Sequence, residues 1–180
     1  MQSLFVSDSS NVIQVFPQGI LIINGIRFSC ALGKNGVTSH KREGDGKTPV
    51  GTFSLRQLFY RPDRVPIPKT SFKNIAINPK MGWSDDATDP AYNTLVPLPH
   101  AFGHEVLWRE DTRYDYIIPL SYNDDPIIAG AGSAIFFHLA TPDRWTTEGC
   151  VAVAKNDFEI ILGMINSDTL LKIYETSPQG

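Results

Sequence analysis

The residues best equipped for chemistry lie in one stretch, residues 136 to 153, FFHLATPDRWTTEGCVAV. It holds Cys150, one of only two cysteines, with His138 twelve positions upstream and Glu148 two positions before it. A free thiol has a pKa of about 8.5, so it needs a base or a positive partner to form a useful thiolate near neutral pH. Imidazole is the side chain best suited to take that proton and return it to a leaving group. Gly149 adds a second element, because glycine can adopt backbone angles that aim successive amide N–H groups at one point, as an oxyanion hole requires. The bland alternative is a thiol filling space beside a valine-rich strand, with a histidine satisfied inside a β fold.

Neighbouring elements decide between these readings. In SAIFFHLA, strict alternation places Ala134, Phe136, His138 and Ala140 on one face of a strand, and Ile135, Phe137 and Leu139 on the other. The second face is core. A polar, aromatic loop, TPDRWTTEGC, then leads to Cys150 at the start of another apolar strand, VAV. Should the two strands be neighbours, the loop brings the thiol back toward the imidazole.

The rest of the chain reads mainly as strands. NVIQVFP and GILIING are short β-branched runs, and Asn24-Gly25 marks a hairpin, since both residues accept positive φ. GTFSLRQLFYR, FKNIAINP, YNTLVPLP, HEVLWRE and YDYIIPLSYN continue at short spacing, and TLLKIYE closes as a strand. Only NDFEIILGMIN reads as helical: Phe158, Ile161, Leu162 and Ile165 share one face, and Asn156 or Asp157 can cap it. No linker or internal repeat appears, so residues 1–180 are expected to form a single, mainly β domain with a sandwich or barrel-like core.

With 180 residues, 42% hydrophobic and 19% charged, the chain can bury a core without disulfide or metal staples. A net charge of −3 and scattered basic residues argue against a nucleic-acid partner. No apolar run is long enough to span a bilayer. The start, MQSLFVSDSSNVIQVFPQG, lacks the basic region and apolar core of a signal peptide.

Other motifs carry less. GDGKTPVG fails as a phosphate loop because its earlier glycine position is Lys41. His100 and His104 are four apart, as zinc ligands on a helix can be, but Pro99 and Gly103 disfavour a helix. Asp85-Asp86 and Asp124-Asp125 sit among turn residues and read as turn caps. Cys30, in RFSCALG, reads as a buried free thiol.

Together, three segments resemble the L,D-transpeptidase catalytic domain, the YkuD-type family of bacterial cell-wall enzymes. GDGKTPVGTFSL is similar to the family's Thr-Pro-x-Gly-x-Phe segment, AIFFHLA to the strand bearing its catalytic histidine, and TTEGCVAV to its Ser/Thr-His-Gly-Cys motif. The resemblance implies a β-sandwich of two mixed sheets with one or two short helices and a cleft active site. It implies that Cys150 attacks the L,D peptide bond after meso-diaminopimelate in a peptidoglycan stem peptide, with His138 as base and then acid. Amides at Gly149 and Cys150 would hold the oxyanion, and the acyl group would pass to an amine of a second stem peptide. No metal or organic cofactor is implied.

The departures are informative. Glu148 stands where the family has a histidine, the His-to-Cys spacing is shorter than usual, and Ala152 replaces a commonly polar residue. A carboxylate beside a thiol raises the thiol's pKa, so Glu148 is expected to orient His138 or to bind a substrate ammonium instead. Lys41 and Arg42, which can pair with a stem-peptide carboxylate, and Trp83, Tyr122, Asn123, Trp145 and Thr147 are expected along the substrate cleft.

Three functions are then in play: a cross-linking L,D-transpeptidase active in cell-wall biogenesis and cell shape, a hydrolase on the same scaffold (an L,D-carboxypeptidase or amidase), and a non-catalytic glycan-binding module. The implied substrate places the site in the cell envelope or periplasm, whereas the missing leader leaves the cytoplasm open.

Overall fold

The computed structural model describes residues 11–177. Along the chain these form β1 (Val12–Phe16), β2 (Ile20–Ile23), β3 (Ile26–Ser29), β4 (Val37–Thr38) and β5 (Thr48–Pro49). There follow β6 (Gly51–Ser54), β7 (Leu58–Tyr60), β8 (Asn74–Ala76), β9 (Met81–Ser84), β10 (Leu95–Pro97) and β11 (His104–Val106). The last elements are β12 (Tyr116–Pro119), β13 (Phe136–Leu139), β14 (Val151–Val153), the single helix α1 (Lys155–Leu162) and β15 (Leu170–Ile173).

Two five-stranded mixed sheets dominate, one in the order β3-β2-β1-β15-β6 and the other β14-β13-β12-β7-β8. This is the mainly β architecture with two mixed sheets that the resemblance implies. It is supplemented by a small antiparallel sheet, β10-β9-β11, and a β4-β5 pair. The β2–β3 hairpin turns at Asn24 and Gly25, whose φ values of 49° and 76° are those a type I′ turn demands. GTFSLRQLFYR does not run on as one strand. It changes sheets after Ser54, so β6 pairs with β15 while β7 pairs with β12.

The main core lies between the large sheets. Ile13, Leu21 and Leu171 from one sheet meet Ile118, Phe137 and Val151 from the other. Phe158 of α1 joins them, stacking on Phe137 and Tyr116 at ring-centroid distances of 4.8 and 5.4 Å. Helix capping differs from expectation. Ala154 is the N-cap and makes no side-chain capping bond; Asn156 and Asp157 lie inside the first turn. With only eight residues, α1 depends on packing Phe158, Ile161 and Leu162 rather than on its own cap.

The second sheet is buried on its other face as well. Phe59, Ile117 and Phe136 form a second cluster there with Cys150, covered by Met81 and Trp83 of β9 and by Trp108. All four residues of β12 and of β13 are buried, which explains why they read as continuous apolar runs. Phe158 is the residue on which helix and sandwich jointly depend. Phe158→Ala is expected to destabilise the fold by about 3–5 kcal/mol, read as a lower urea midpoint at unchanged slope.

Candidate active site

Cys150 and His138 are brought together by register. Strands β13 and β14 pair in parallel with Phe137 opposite Val151 and His138 opposite Ala152. Side chains of equal parity share a face, so Phe136, His138, Cys150 and Ala152 all project from the sheet face away from the main core. Thiol and imidazole are diagonal neighbours there. Alanine at 152, directly across from His138, leaves the imidazole unobstructed.

The loop before Cys150 is held from outside. Thr147 N–H donates to Leu32 O (2.9 Å), Lys34 N–H to Thr147 O (2.8 Å), and Ala31 and Ala152 exchange both backbone bonds (2.7 and 3.0 Å). Within the loop, the Thr147 hydroxyl donates to Cys150 O (2.7 Å) and accepts from Gly149 N–H (3.1 Å). Gly149 has φ +147°, and a Cβ there would stand 2.8 Å from Lys47 O. Only glycine fits that close approach. Of the two amides that the resemblance assigns to the oxyanion, that of Gly149 is occupied by Thr147 and that of Cys150 has no partner among the described residues.

Both reactive groups rest in neutral form. Burial, and secondarily the Glu105 carboxylate, push the Cys150 thiol up to about 12, against smaller opposing effects of the Phe136 N–H, Lys41 and Arg113. Burial depresses His138 to about 4, although the carbonyls of Leu139 and Arg113 favour its protonated form. His138 Nδ1 lies 2.9 Å from Leu139 O and so carries the hydrogen, leaving the lone pair on Nε2. Tyr114 packs edge-on against the imidazole at 5.2 Å. The thiol itself donates to Ala134 O (3.2 Å) and accepts from Phe136 N–H (3.4 Å); His138 is not among its hydrogen-bond partners.

Both groups open into one cavity of about 380 Å³ with walls of opposite charge. Glu43, Asp85 and Glu105 line one part; Lys41, Arg109, Arg113 and Arg144 line another. Glu105 accepts from the Tyr114 hydroxyl (2.5 Å), and Glu43 from the hydroxyls of Ser133 (2.7 Å) and Tyr92. Burial, reinforced by Glu43, raises Asp85; burial raises Glu105, and Asp85 adds to that. Several cations already have partners. Lys41 is bound to Asp45 (2.5 Å), and Arg109 and Arg113 share Asp111 (2.8 and 3.0 Å).

Of the sequence-derived candidates, Cys150, His138, Gly149, Glu148, Thr147 and Lys41 line this cavity. Arg42, Trp83, Tyr122, Asn123 and Trp145 do not. Trp83 donates to Asn93 and packs against Phe136, Tyr122 donates to Ala131 O, and Asn123 holds its own loop through Ile128 and Gly132. Trp145 is half-exposed. Glu148 is at the rim, ion-paired to Lys34 (2.8 Å) and mostly solvent-exposed, without a bond to His138. Asp86 does cap its turn, accepting from Thr88 N–H (2.9 Å), but its neighbour Asp85 faces the cavity. His104 lies in a strand and His100 bonds Asp89 (2.6 Å). Cys30 is a buried free thiol, its pKa pushed up to about 12 by burial.

A sequence model of the L,D-transpeptidase catalytic domain (YkuD) matches residues 2–173. The chain belongs to the YkuD family. A mutant form of the helical cell shape determining protein Pgp2 from Campylobacter jejuni shares the fold at TM-score 0.52, with 16% identity over 96% of this chain and 49% of that one. Bd1075 from Bdellovibrio bacteriovorus gives TM-score 0.49 and 17% identity over 93% of this chain and 49% of that one. L,D-transpeptidase 3 from Mycobacterium tuberculosis gives 0.46 and 12% over 92% and 61%. The YkuD chain described here thus spans about half the length of the first two. No curated protein sequence matches it.

Two outcomes follow from the electrostatics of this YkuD site. Glu105→Gln removes an anion facing the thiol and should raise the alkylation rate of Cys150 near neutral pH about threefold or more, whereas Glu148→Gln, at the exposed rim, should leave it unchanged. The His138 pKa of about 4, against 6.5 when unfolded, means the folded state resists protonation. Its contribution, roughly 3 kcal/mol, is present above pH 6.5 and lost as pH falls from there toward 4. Urea unfolding of wild type should therefore weaken across that window more than that of His138→Gln.

Proposed function

We propose that the protein is a cysteine-dependent L,D-transpeptidase acting on peptidoglycan stem peptides in the cell envelope. The observation that carries this reading is the shared cavity that Cys150 and His138 both line, together with a Cys150 amide that has no partner among the described residues. Nothing in the reaction requires a cofactor.

In the proposed sequence, Cys150 Sγ attacks the carbonyl carbon of the L,D amide bond after meso-diaminopimelate while its proton passes to His138 Nε2. The neutral resting pair makes this transfer concerted with attack, since burial opposes a standing thiolate–imidazolium pair. The Cys150 N–H receives the developing oxyanion. As the C–N bond breaks, the imidazolium returns the proton to the departing D-amino acid and a thioester remains. An amine of a second stem peptide then attacks the thioester, gives up its proton to His138, and regenerates the thiol.

The charged walls suit the two partners. Diaminopimelate carries carboxylate and ammonium groups, which the basic and acidic walls complement. The raised acids Asp85 and Glu105 would be stabilised in ionised form by an incoming ammonium, which favours an amine acceptor over water. Hydrolysis to a tripeptide is the second reading, because a cavity open to solvent at the Glu148 rim admits water.

Incubation with disaccharide-tetrapeptide, followed by mass spectrometry, separates these. Cross-linked dimers are expected; tripeptide without dimers assigns a carboxypeptidase, and unchanged substrate removes the enzymatic reading. Cys150→Ala and His138→Ala should each abolish product while retaining the fold by circular dichroism.

A further inference from the structure

The thiol's resting contacts lead through Ala134, in the cavity wall, to a residue outside the cavity. Ala134, whose carbonyl accepts the Cys150 S–H, has φ +51°, a left-handed conformation disfavoured for any residue with a Cβ. Something must hold it there. Its N–H donates to the side-chain oxygen of Asn93 (3.0 Å). Asn93 is itself buried, at 5% exposure, and uses its full hydrogen-bonding capacity. Its Oδ1 accepts from Ala134 N–H and Trp83 Nε1 (3.0 Å each), and its Nδ2 donates to the carbonyls of Tyr122 (3.2 Å) and Asn123 (2.7 Å). A flipped amide would face two donors with its NH₂ and two carbonyls with its oxygen, so one orientation is enforced.

We propose that Asn93 is a positioning residue that holds Ala134 in its left-handed conformation, so that the Ala134 carbonyl keeps the Cys150 thiol protonated and pointed away from His138 until substrate arrives. It rests on Cys150 being the reacting group. A carbonyl oxygen beside sulfur stabilises S–H and repels S⁻. Activation then consists of the S–H leaving Ala134 O for His138 Nε2, one hydrogen bond exchanged for another with the proton ending on the imidazole. The other charged or titratable groups of the cavity are Glu105 from β11, Arg109, Arg113 and Tyr114 from the segment between β11 and β12, Lys41 and Glu43 from the loop after β4, Asp85 just after β9, His138 from β13, and Arg144 and Glu148 from the loop after it. None of them is hydrogen-bonded to the Asn93 side chain, so changing Asn93 removes none of those charges or their bonds.

The test is alkylation of Cys150 by iodoacetamide, read site by site by mass spectrometry between about pH 7 and 9, which needs no peptidoglycan substrate. In Asn93→Ala the strained Ala134 relaxes and its carbonyl leaves the sulfur, so the Cys150 rate should rise about tenfold, a shift of about one pH unit. Adding Ala134→Gly should reverse most of that rise, because glycine keeps the left-handed conformation without support. A rate that does not rise in Asn93→Ala, or one that the glycine fails to reverse, overturns the proposal and leaves Asn93 a packing residue.

A second measurement needs only one substitution at sulfur. In wild type, the infrared S–H stretch of Cys150, assigned by its loss in Cys150→Ser, should fall at lower frequency than that of Cys30. Cys30 lies in the apolar core, and its sulfur makes no hydrogen bond among the described residues. Coincident bands would overturn the proposal. Absence of transpeptidation with these results intact would instead count against the proposed function alone.

Discussion

Everything at this site hangs on the parallel pairing of β13 with β14. That pairing puts Cys150 one step before the residue opposite Phe137 and sets both thiol and imidazole on the face away from the main core. Slipping the register by one residue would turn Cys150 into the core and bring Val151 to the cavity. The register is secured on both faces: Phe137 and Val151 are wholly buried between the large sheets, and Phe136 packs under Trp83. The Cys150–His138 arrangement is thus anchored by apolar packing on each side of one short strand pair.

Parallel neighbours need a crossover, and here it is the irregular segment between Leu139 and Val151 rather than a helix. Such a segment must satisfy its own backbone groups. The 31–34 segment supplies partners on one side, and the Thr147 hydroxyl closes the last turn on the other. A consequence is a difference between two adjacent amides: Gly149 N–H is consumed in shaping the loop, and Cys150 N–H has no partner among the described residues. Gly149 contributes through its missing side chain, which lets the loop lie against Lys47 O.

Burial sets the character of the pair. The imidazole and the thiol are almost fully covered, so each is shifted toward neutrality, and the nearby Glu105 strengthens that shift at sulfur. The thiol's hydrogen bonds are with Ala134 O and Phe136 N–H rather than with the imidazole. Glu148, the residue that departs most visibly from the family's pattern, sits outside this balance, tied to Lys34 at the rim. The carboxylate with leverage on the thiol is instead Glu105, carried by a small antiparallel sheet that covers the second apolar cluster.

Local signals were enough for most strands, though not for β4, β5, β9 or the break between β6 and β7, and for the Asn24-Gly25 hairpin, the apolar face of α1 and the alternation that separates His138 from Phe137, because each of these depends on residues a few positions apart. Cys150 and His138 were legible for the same reason: strand, loop and strand are contiguous. The acidic wall was not. Glu43, Asp85 and Glu105 come from three separated segments, and Asp85 beside Asp86 looks like an ordinary turn acid until β9 pairs with β11 and aims it inward. Trp83 and Tyr122 show the converse, since aromatic residues that look suited to a cleft are spent on Phe136 and Phe53. By itself the sequence determined the β character, the closeness of Cys150 and His138 along the chain and the glycine between loop and cysteine, all local properties of spacing and residue type. Only the tertiary structure decided which amide Thr147 engages, which carboxylate faces the sulfur and which asparagine bonds Ala134, because hydrogen bonds and charge act across distances in space that chain order does not encode.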